Sequence, residues 1–350
     1  MKIKKNLNIE YMRAIACLGV ILIHIMKSAH DVFDNMTPEI YFICTSFVNN
    51  LRWCVPVFLM ISGYLLLDPE KKIGLIKIKQ YIIRIVIVLG IFGTGFAFIE
   101  LISKKHSVCF TFIFRAFVNM LMGNTWNHLW YLYALIALYL FLPMLKSITG
   151  YLSKQEITYI IIVFLIYSSV FPTLKELGVT IGIAYFSFSI YLFYMLLGYW
   201  VRQSKIKIPK VLSILGFIGT GLYFVILAYV SDVKDYKIPE IFYAHSSMVV
   251  VLQAVLIFSL IGNIKISVDG RLHKIILSIA DYSFGMYIMH MFWINILYKV
   301  FKLNPAKYGI WIFIPIYIIV IILTYVTVFI MQIMLKRNAS SATAELLFHF

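Results

Sequence analysis

Charged side chains are scarce in this sequence, and acidic ones are the scarcest. Charged residues occupy 13% of its 350 positions and hydrophobic residues 62%, and 15 Asp and Glu stand against 31 Lys and Arg. A soluble domain has about 25% charged and about 45–50% apolar residues, so the composition excludes a soluble globular protein. The formal net charge of +16 does not indicate nucleic-acid binding, because the basic residues are spread between apolar runs. We therefore expect a lipid bilayer around the chain and no nucleic-acid partner.

Cysteine is also rare, and its spacing is not that of a metal site. The sequence contains no CxxC pair, and its cysteines are Cys17, Cys44, Cys54 and Cys109, of which the first three lie within apolar runs. This pattern predicts buried thiols and no metal ion. The signatures GxGxxG, GxxxxGK[ST], HExxH and GxSxG are absent as well, so the usual nucleotide-binding and hydrolase motifs of soluble enzymes are missing.

Long apolar runs are abundant. Runs of roughly 20 residues, the length of a helix that crosses a bilayer, recur along the whole chain. They predict an all-α, polytopic membrane protein with ten helices, at residues 11–29, 40–67, 80–101, 128–146, 156–172, 183–201, 209–230, 241–262, 275–299 and 309–335. We expect one transmembrane domain over residues 1–337 and a tail over 338–350. No signal-cleavage site follows the first run, so we expect it to be retained as a helix.

The distribution of Lys and Arg predicts the orientation. With the N-terminus in the cytoplasm, basic residues in the inner segments outnumber those in the outer segments by nearly two to one. We therefore expect both termini to be cytoplasmic. The longest outer loop, 102–127, contains an apolar patch at 110–122 that predicts a short helix along the membrane surface.

Arg13 and His24 are the first candidate site residues. They are eleven positions apart, about 20° past three full helical turns, so both project from one face of the first helix, roughly 16 Å apart along its axis. Arg13 is expected at the cytoplasmic mouth and His24 in the outer half of the membrane. Such a face suits a long ligand with an anionic head and a reactive far end. The alternative is that Arg13 reaches lipid phosphate and that His24 is a packing residue.

Arg52 is predicted near the middle of the helix at 40–67, beside Asn49 and Asn50. An arginine at that depth requires a partner or a water-filled cavity. Two interpretations remain open: a functional cation, or a structural hydrogen bond to a backbone carbonyl that Pro56 frees.

His290 is a further candidate, predicted in the outer half of the ninth helix, at a depth similar to that of His24. His128 approaches the same level from the outer side. Glu100 and Asp31 are close enough in predicted depth to join these histidines. A lone membrane histidine is more often a packing residue than a catalyst, so the shared depth is the argument for a site.

Four stretches resemble one known family, in order along the chain. They are residues 11–24 (YMRAIACLGVILIH, with an Arg-x10-His spacing), 52–64 (RWCVPVFLMISGY), 128–143 (HLWY leading to LFLP) and 282–290 (YSFGMYIMH). Together they resemble the acyltransferase-3 family of membrane acyltransferases. Within it, the chain is most similar to the small ten-helix O-acetyltransferases, such as that of enterobacterial common antigen.

The resemblance implies a membrane-bound O-acyltransferase of the bacterial cytoplasmic (inner) membrane. Members of the family transfer an acyl group, usually acetyl from acetyl-CoA, to a hydroxyl of an outward-facing glycan, lipid-linked sugar or other envelope molecule. On this resemblance Arg13 and Arg84 bind the donor phosphates. Many members carry Arg-x-x-Arg at the start of the third helix, whereas here Tyr81 stands at the first position and Arg84 at the second. Lys77 and Lys79 are expected to supply the missing charge, and Lys79 is expected to bind the donor with Arg13 and Arg84.

The same resemblance gives His24, Arg52 and His290 catalytic roles. His24 acts either as a general base on the acceptor hydroxyl or as a nucleophile that carries the acyl group. Arg52 either stabilises the thioester oxyanion or holds His24.

Two other classes of function fit buried polar groups among ten helices. One is a transporter or exporter of a glycan or small metabolite. Such proteins often contain paired, Gly- or Pro-broken helices, and the sequence shows no such pairing. The other is a membrane module that senses an envelope ligand without turnover.

Overall fold

Helices account for all the regular secondary structure in the computed structural model, which describes residues 6–105, 111–184, 188–204, 208–266 and 270–338. The first eight helices are α1 (Leu7–Val32), α2 (Pro38–Asn50), α3 (Cys54–Leu66), α4 (Leu75–Val88), α5 (Thr94–Lys105), α6 (Thr111–Leu121), α7 (Trp130–Leu140) and α8 (Leu142–Tyr151). The remaining eight are α9 (Lys154–Leu165), α10 (Phe171–Glu176), α11 (Ile190–Ser204), α12 (Lys210–Asp232), α13 (Met248–Gly262), α14 (Arg271–Asn295), α15 (Pro305–Tyr308) and α16 (Phe313–Asn338).

Short helical turns of other types join or extend these helices. Three π-helical turns, Leu89–Gly93, Ile166–Val170 and Ile296–Val300, connect α4 to α5, connect α9 to α10 and extend α14. Three 3₁₀ turns, Asn127–Leu129, Glu240–Phe242 and Ile310–Ile312, precede α7, α13 and α16.

The described residues contain 7 helices that are long and apolar enough to cross a membrane, or 8 if α7 and α8, bent by 50° at their junction, form one span. Two shorter apolar helices, α6 and α13, add to these. The predicted all-α, polytopic fold is therefore confirmed. The number ten and the cytoplasmic termini remain predictions, and the predicted tail lies, from residue 339 onward, outside the described residues.

Each of the ten predicted stretches contains helix, but several ends differ. The helix predicted at 183–201 begins only at Ile190, and the one predicted at 241–262 begins at Met248. Ser247 caps the second of these, because its side chain accepts a hydrogen bond from the Val249 amide at 3.3 Å. Hydrophobicity alone missed both starts, because apolar residues such as Ile183, Ala184, Tyr243 and Ala244 lie in turns or bends before the two α-helices. The apolar patch predicted at 110–122 does form a helix, α6.

The helix predicted at 40–67 is broken at residues 51–53, between α2 and α3. Pro56 has no amide hydrogen, so the Arg52 carbonyl four residues earlier has no helical donor. The backbone turns there, with the Cys54 amide donating to the Leu51 carbonyl at 3.0 Å. Arg52 therefore lies in a break between helices and not within one.

Helix α1 is central in the bundle. It packs against α2, α3, α13, α14 and α16, and 61% of its apolar window is buried, against 39% or less in the other spans. Helices α3 and α11 approach so closely that a Cβ on Gly63 would overlap the Met195 carbonyl, and a Cβ on Gly198 would overlap the Met60 carbonyl. Small residues allow such backbone contact between membrane helices. Two helices of the central group are thereby fixed in register.

Cys17, Cys44 and Cys54 are buried free thiols, as predicted. Cys109 lies outside the described residues.

Candidate functional site

Three histidines from three different segments meet beside the C-terminal half of α1. The His24 ring on α1 lies 4.9 Å from the His290 ring on α14 and 6.2 Å from the His128 ring, which precedes α7 (centroid distances). The rings of His128 and His290 are 5.1 Å apart. The expectation that these histidines share one depth is thus borne out by their contacts, and we call them the histidine cluster.

Hydrogen bonds assign the tautomers of two of these histidines. His128 Nε2 lies 3.1 Å from the Ile288 carbonyl oxygen, and His290 Nδ1 lies 3.3 Å from the Met286 carbonyl oxygen. A carbonyl only accepts, so these nitrogens carry the protons, and in the neutral rings His128 Nδ1 and His290 Nε2 are acceptors. Among the described residues neither of the latter two atoms has a hydrogen-bond partner. Two buried acceptors are therefore left in the cluster.

His24 differs from its two neighbours in accessibility. His128 is 1% exposed and His290 0%, whereas His24 is only partly buried. Within the described part of the chain, neither ring nitrogen of His24 makes a hydrogen bond. Of the three histidines, His24 is therefore the one that a substrate can reach, and the other two surround it.

Aromatic residues hold the cluster in place. The Tyr287 hydroxyl donates to the His128 carbonyl, and the Tyr287 ring lies 5.8 Å from the His128 ring and 5.9 Å from the His290 ring. Trp126 stacks on Phe96 at 4.3 Å, and both rings lie near His128. The ring positions are thus fixed by packing from three sides.

The two acidic residues expected near the histidines have other partners. Asp31 pairs with Lys27 at 3.2 Å. Glu100 pairs with Lys104 at 2.8 Å and accepts a hydrogen bond from Trp126. Glu100 therefore reaches the cluster only through the tryptophan that packs beside His128.

Near the N-terminal end of α1, which we expect on the inner side of the membrane, Arg13 forms an ion pair with Glu10 at 2.9 Å, with both side chains largely buried. The Tyr139 hydroxyl on α7 is close enough to interact with the charges of both Arg13 and Arg84. Tyr139 of α7 thus connects Arg13 of α1 with Arg84 of α4. The sequence interpretation missed Glu10, although its i, i+3 spacing to Arg13 is the signal that could have identified it.

Arg84 is 8% exposed, on the inward face of α4. Its guanidinium lies 5.8 Å from the Phe284 ring centroid on α14. Tyr81 packs against Tyr139 at 5.8 Å, and the Lys77 ammonium lies 5.6 Å from the Tyr81 ring centroid. Lys77, Tyr81 and Arg84 therefore share one face of α4.

Lys79 is exposed on another side of α4. Five positions separate it from Arg84, an angular offset of about 140°, whereas Lys77 is offset by only about 20°. Its donor-binding role remains a prediction, and the geometry favours Lys77 for the charge beside Arg84.

The loop between α3 and α4 carries more positive charge to the same end of the bundle. Arg202 pairs with Asp68 at 2.6 Å, and Lys146 Nζ donates to the Asp68 carbonyl at 2.8 Å. Partial burial lowers the pKa of Lys71, a shift that Asp68 opposes and that Arg202 and Lys77 reinforce. The loop end is thus held by cations at the C-terminus of α3, where the helix dipole favours them.

Arg52 has partners other than His24. Its Nε donates to Asn49 Oδ1 at 3.2 Å, and its guanidinium lies 4.9 Å from the Tyr243 ring centroid. Contact with His24 is not among its interactions in the described part of the chain. No group of three or more His, Cys, Asp or Glu side chains suited to a metal ion occurs among the described residues.

The geometry supports chemistry that links two polar clusters at the two ends of one face of α1. A cationic inner end can hold an anionic group, and a partly accessible imidazole between two acceptors can take and pass a proton. The distance between the ends, roughly 16 Å along α1, requires an extended ligand to connect them.

Comparison with known proteins identifies relatives along nearly the whole chain. The sequence profile of the family described as "Acyltransferase domain" matches residues 6–333. A curated protein of Bacillus subtilis (strain 168), named "Putative membrane-bound acyltransferase YfiQ", is 23% identical over 322 residues, which cover 85% of this chain and 83% of that protein. No solved structure matches the chain.

Proposed function

This chain belongs to the acyltransferase-3 family of membrane acyltransferases, and we propose that it moves an acetyl group from cytoplasmic acetyl-CoA to a hydroxyl of an extracytoplasmic glycan or lipid-linked sugar. The observation that carries the proposal is the placement of two polar clusters at the two ends of one face of α1. Arg13 lies near the N-terminal end of α1 and His24 in its C-terminal half, which the charge distribution predicts to be the inner and the outer side of the membrane. We place the protein in the bacterial cytoplasmic membrane.

The inner cluster supports a phosphate-bearing donor. Arg13 and Arg84 provide planar guanidinium groups, which bind phosphate oxygens in pairs. Glu10 holds Arg13 in place, and Lys77 adds a flexible cation on the Arg84 side. The pantetheine arm of the donor then extends along α1 and brings the thioester to His24.

In the transfer step, His24 removes the proton of the acceptor hydroxyl while its oxygen attacks the thioester carbonyl. The carbon–sulfur bond breaks, and the CoA thiolate takes up the proton, so that the products are an ester and free CoA. The acceptor nitrogens of His128 and His290 provide hydrogen-bond sites for an imidazolium at His24. A second route, with the acyl group carried on His24 itself, uses the same positions.

Transfer assays with the purified protein in proteoliposomes test this proposal. Labelled acetyl-CoA is supplied on the side of the termini, and a mixture of glycan acceptors on the opposite side. We expect label to appear in ester linkage on an acceptor and free CoA to accumulate on the donor side. Binding of acetyl-CoA without any ester product, with any acceptor mixture extracted from an envelope, would contradict the proposal. A mass shift of 42 Da on the α1 peptide would identify the covalent route.

The orientation has its own test. Cysteines at Lys72 and Lys104, which lie at opposite ends of the span Leu75–Lys104, are labelled with an impermeant maleimide from outside intact cells. We expect reaction at position 104 and protection at 72. The reverse result would place acetyl-CoA and acceptor on the wrong sides for the proposed reaction.

A further inference from the structure

Helices α11 and α13 are too short to cross a bilayer. Each has 15 residues, about 22 Å of helix against a hydrocarbon core of about 30 Å. The missing length is on the side of residues 177–184 and 233–247, which the charge distribution predicts to be extracytoplasmic. We call this side the outer face.

Contacts along the bundle place the starts of both helices level with Arg52. Gly198 of α11 packs on Met60 of α3, and Arg202 contacts Tyr64 and Asp68 further along, so the two helices are parallel. Counting back along them puts Ile190 level with the first turn of α3. The Phe258 ring of α13 lies 6.2 Å from the Tyr64 ring, which puts Met248 at the same level. Above this level α2 continues outward for its 13 residues, about 20 Å. Neither α11 nor α13 extends beside it.

The segment before α13 reaches the break between α2 and α3. Tyr243 and His245, in the segment before α13, reach down to the break between α2 and α3: Tyr243 lies under the Arg52 guanidinium at 4.9 Å, and His245 lies within range of its charge. Backbone that is not helical occurs at membrane depth only where it is buried in protein or lines a wet cavity. The side chains here are only partly buried, which points to a wet cavity.

Arg52 is prepared to bind a ligand from that cavity. Asn49, itself 4% exposed, fixes the Nε of Arg52, and Tyr243 covers one face of the guanidinium. The two Nη groups make no hydrogen bond within the described part of the chain, and the residue is partly exposed. The exposed Glu240 carboxylate lies within range of the Arg52 charge but makes no ion pair with it in the described part of the chain. Lipid cannot solvate an arginine charge at this depth, so the exposed edge faces water or a ligand. A fixed guanidinium fork with both Nη groups available is the arrangement that binds two oxygens of a phosphate or carboxylate.

Aromatic contacts link this region to the histidine cluster. Trp130 lies 5.5 Å from Tyr191 and 5.7 Å from His245. Tyr131, the neighbour of Trp130, packs against Tyr287 at 5.7 Å, and Tyr287 borders His290. The break at residues 51–54 itself contacts α1 at Gly19, five positions and about 7 Å inward of His24. A molecule of sugar size in this region is therefore beside the reactive imidazole.

We propose that Arg52, Trp130, Tyr191, Tyr243 and His245 line a water-filled recess that opens to the outer face and receives the acceptor, and that Arg52 binds a phosphate or carboxylate group which the acceptor carries. This inference rests on the proposed function, because it assigns the acceptor side of that reaction. It replaces the expected roles of Arg52 at the thioester oxyanion or at His24 with a role in acceptor recognition.

The recess is tested by thiol accessibility and ligand protection. Ala244, between Tyr243 and His245, is replaced by cysteine in a Cys109→Ser background, since the described cysteines are buried. We expect an impermeant maleimide to label Ala244→Cys from the outer face. Glucose 1-phosphate or methyl glucuronide at about four times its Kd should slow labelling about fivefold, and methyl glucoside at the same concentration should not. The anion that protects distinguishes a phosphate-bearing from a carboxylate-bearing acceptor.

Arg52→Gln should abolish the protection, and Arg52→Lys should leave only a part of it, because a point charge does not replace the fork. The matched control is Arg115→Gln, which removes an exposed positive charge of α6 and should leave protection unchanged. Acetyl-CoA binding to each variant shows that it is folded. Failure of Ala244→Cys to react, equal protection by methyl glucoside, or protection that survives in Arg52→Gln would overturn the recess, even where acetyl transfer by the wild type upholds the proposed function. If anions protect but the wild type forms no ester, the proposed function fails and the anion site stands.

Discussion

In the C-terminal half of α1 three imidazoles meet, whereas at its N-terminal end two guanidinium groups lie among aromatic rings, and one of them is paired with the Glu10 carboxylate. We expect the first group on the outer side of the membrane and the second on the inner side, and call them the outer and inner ends. The histidine cluster keeps two buried acceptor nitrogens without partners. The inner end engages Arg13 with Glu10 at 2.9 Å and sets Arg84 near the Phe284 ring at 5.8 Å.

This contrast teaches what each end can contribute to one reaction. Paired and permanently charged groups bind well but do not exchange protons near neutral pH. Imidazoles exchange protons but bind anions weakly when neutral. The two ends are therefore expected to respond differently to substitution, one in turnover and the other in affinity.

The largest effect is expected at His24. His24→Ala should lower kcat by about 10²–10⁴-fold, the contribution of a positioned acid–base group, and leave the Kd for acetyl-CoA close to that of the wild type. Transfer rates and acetyl-CoA binding are measured on the same purified protein. A kcat near the wild-type value in His24→Ala would show that another group removes the proton. The two ends of the α1 face would then not differ in the way proposed.

Arg13→Ala should act on affinity. Loss of a charged phosphate contact costs about 1.5–3 kcal/mol, so the KM for acetyl-CoA should rise roughly ten- to a hundredfold, with a smaller change in kcat. Part of this rise will come from Glu10, which is left buried without its partner. The double variant Glu10→Gln with Arg13→Ala separates the two contributions. If Glu10→Gln restores the wild-type KM to Arg13→Ala, the arginine only balances the glutamate.

His290 sharpens the comparison because it acts through His24. It is fully buried, and its Nδ1 is held by the Met286 carbonyl at 3.3 Å. His290→Ala should lower kcat about tenfold, the value of one hydrogen bond, without changing the KM for acetyl-CoA. His290→Gln keeps an acceptor oxygen and should recover part of the loss. Equal losses in both variants would indicate that the ring matters only for packing.

Much of the candidate site could be predicted from helical periodicity and from the free-energy cost of placing a charged side chain in a membrane. Arg13 and His24 share a helix face because α1 is unbroken, and the depth of His290 followed from counting along α14. The partners of Arg52 could not be found in that way. The position of Arg52 depends on the break at residues 51–53, which Pro56 causes. Its partner Tyr243 lies in the segment before α13, which is apolar enough to have been predicted as part of a transmembrane helix.

The cluster around Arg84 shows a second limit of sequence patterns. Tyr139 lies on α7, more than fifty residues away, and joins Arg84 to Arg13 only through tertiary packing. Its spacing in the sequence carries no signal for this contact, since packing between spans is set by shape and not by period. By contrast, the side of α4 on which each lysine lies follows directly from helical geometry.

The smallest effect separates Lys77 from Lys79, two exposed lysines of one helix. Lys77 lies on the face of Tyr81 and Arg84, so its ammonium can reach a phosphate held by Arg84, whereas Lys79 points about 140° away. Exposed charge pairs contribute little, so Lys77→Gln should raise the KM for acetyl-CoA by only about two- to fivefold. Lys79→Gln, a matched removal of the same charge, should leave the KM unchanged. Both effects are measured at low and at physiological salt, because the Lys77 effect should shrink as salt screens it. A larger rise of the KM in Lys79→Gln than in Lys77→Gln would show that the donor phosphates do not bind on the face of α4 that carries Arg84. Their binding site would then lie closer to the loop before α4.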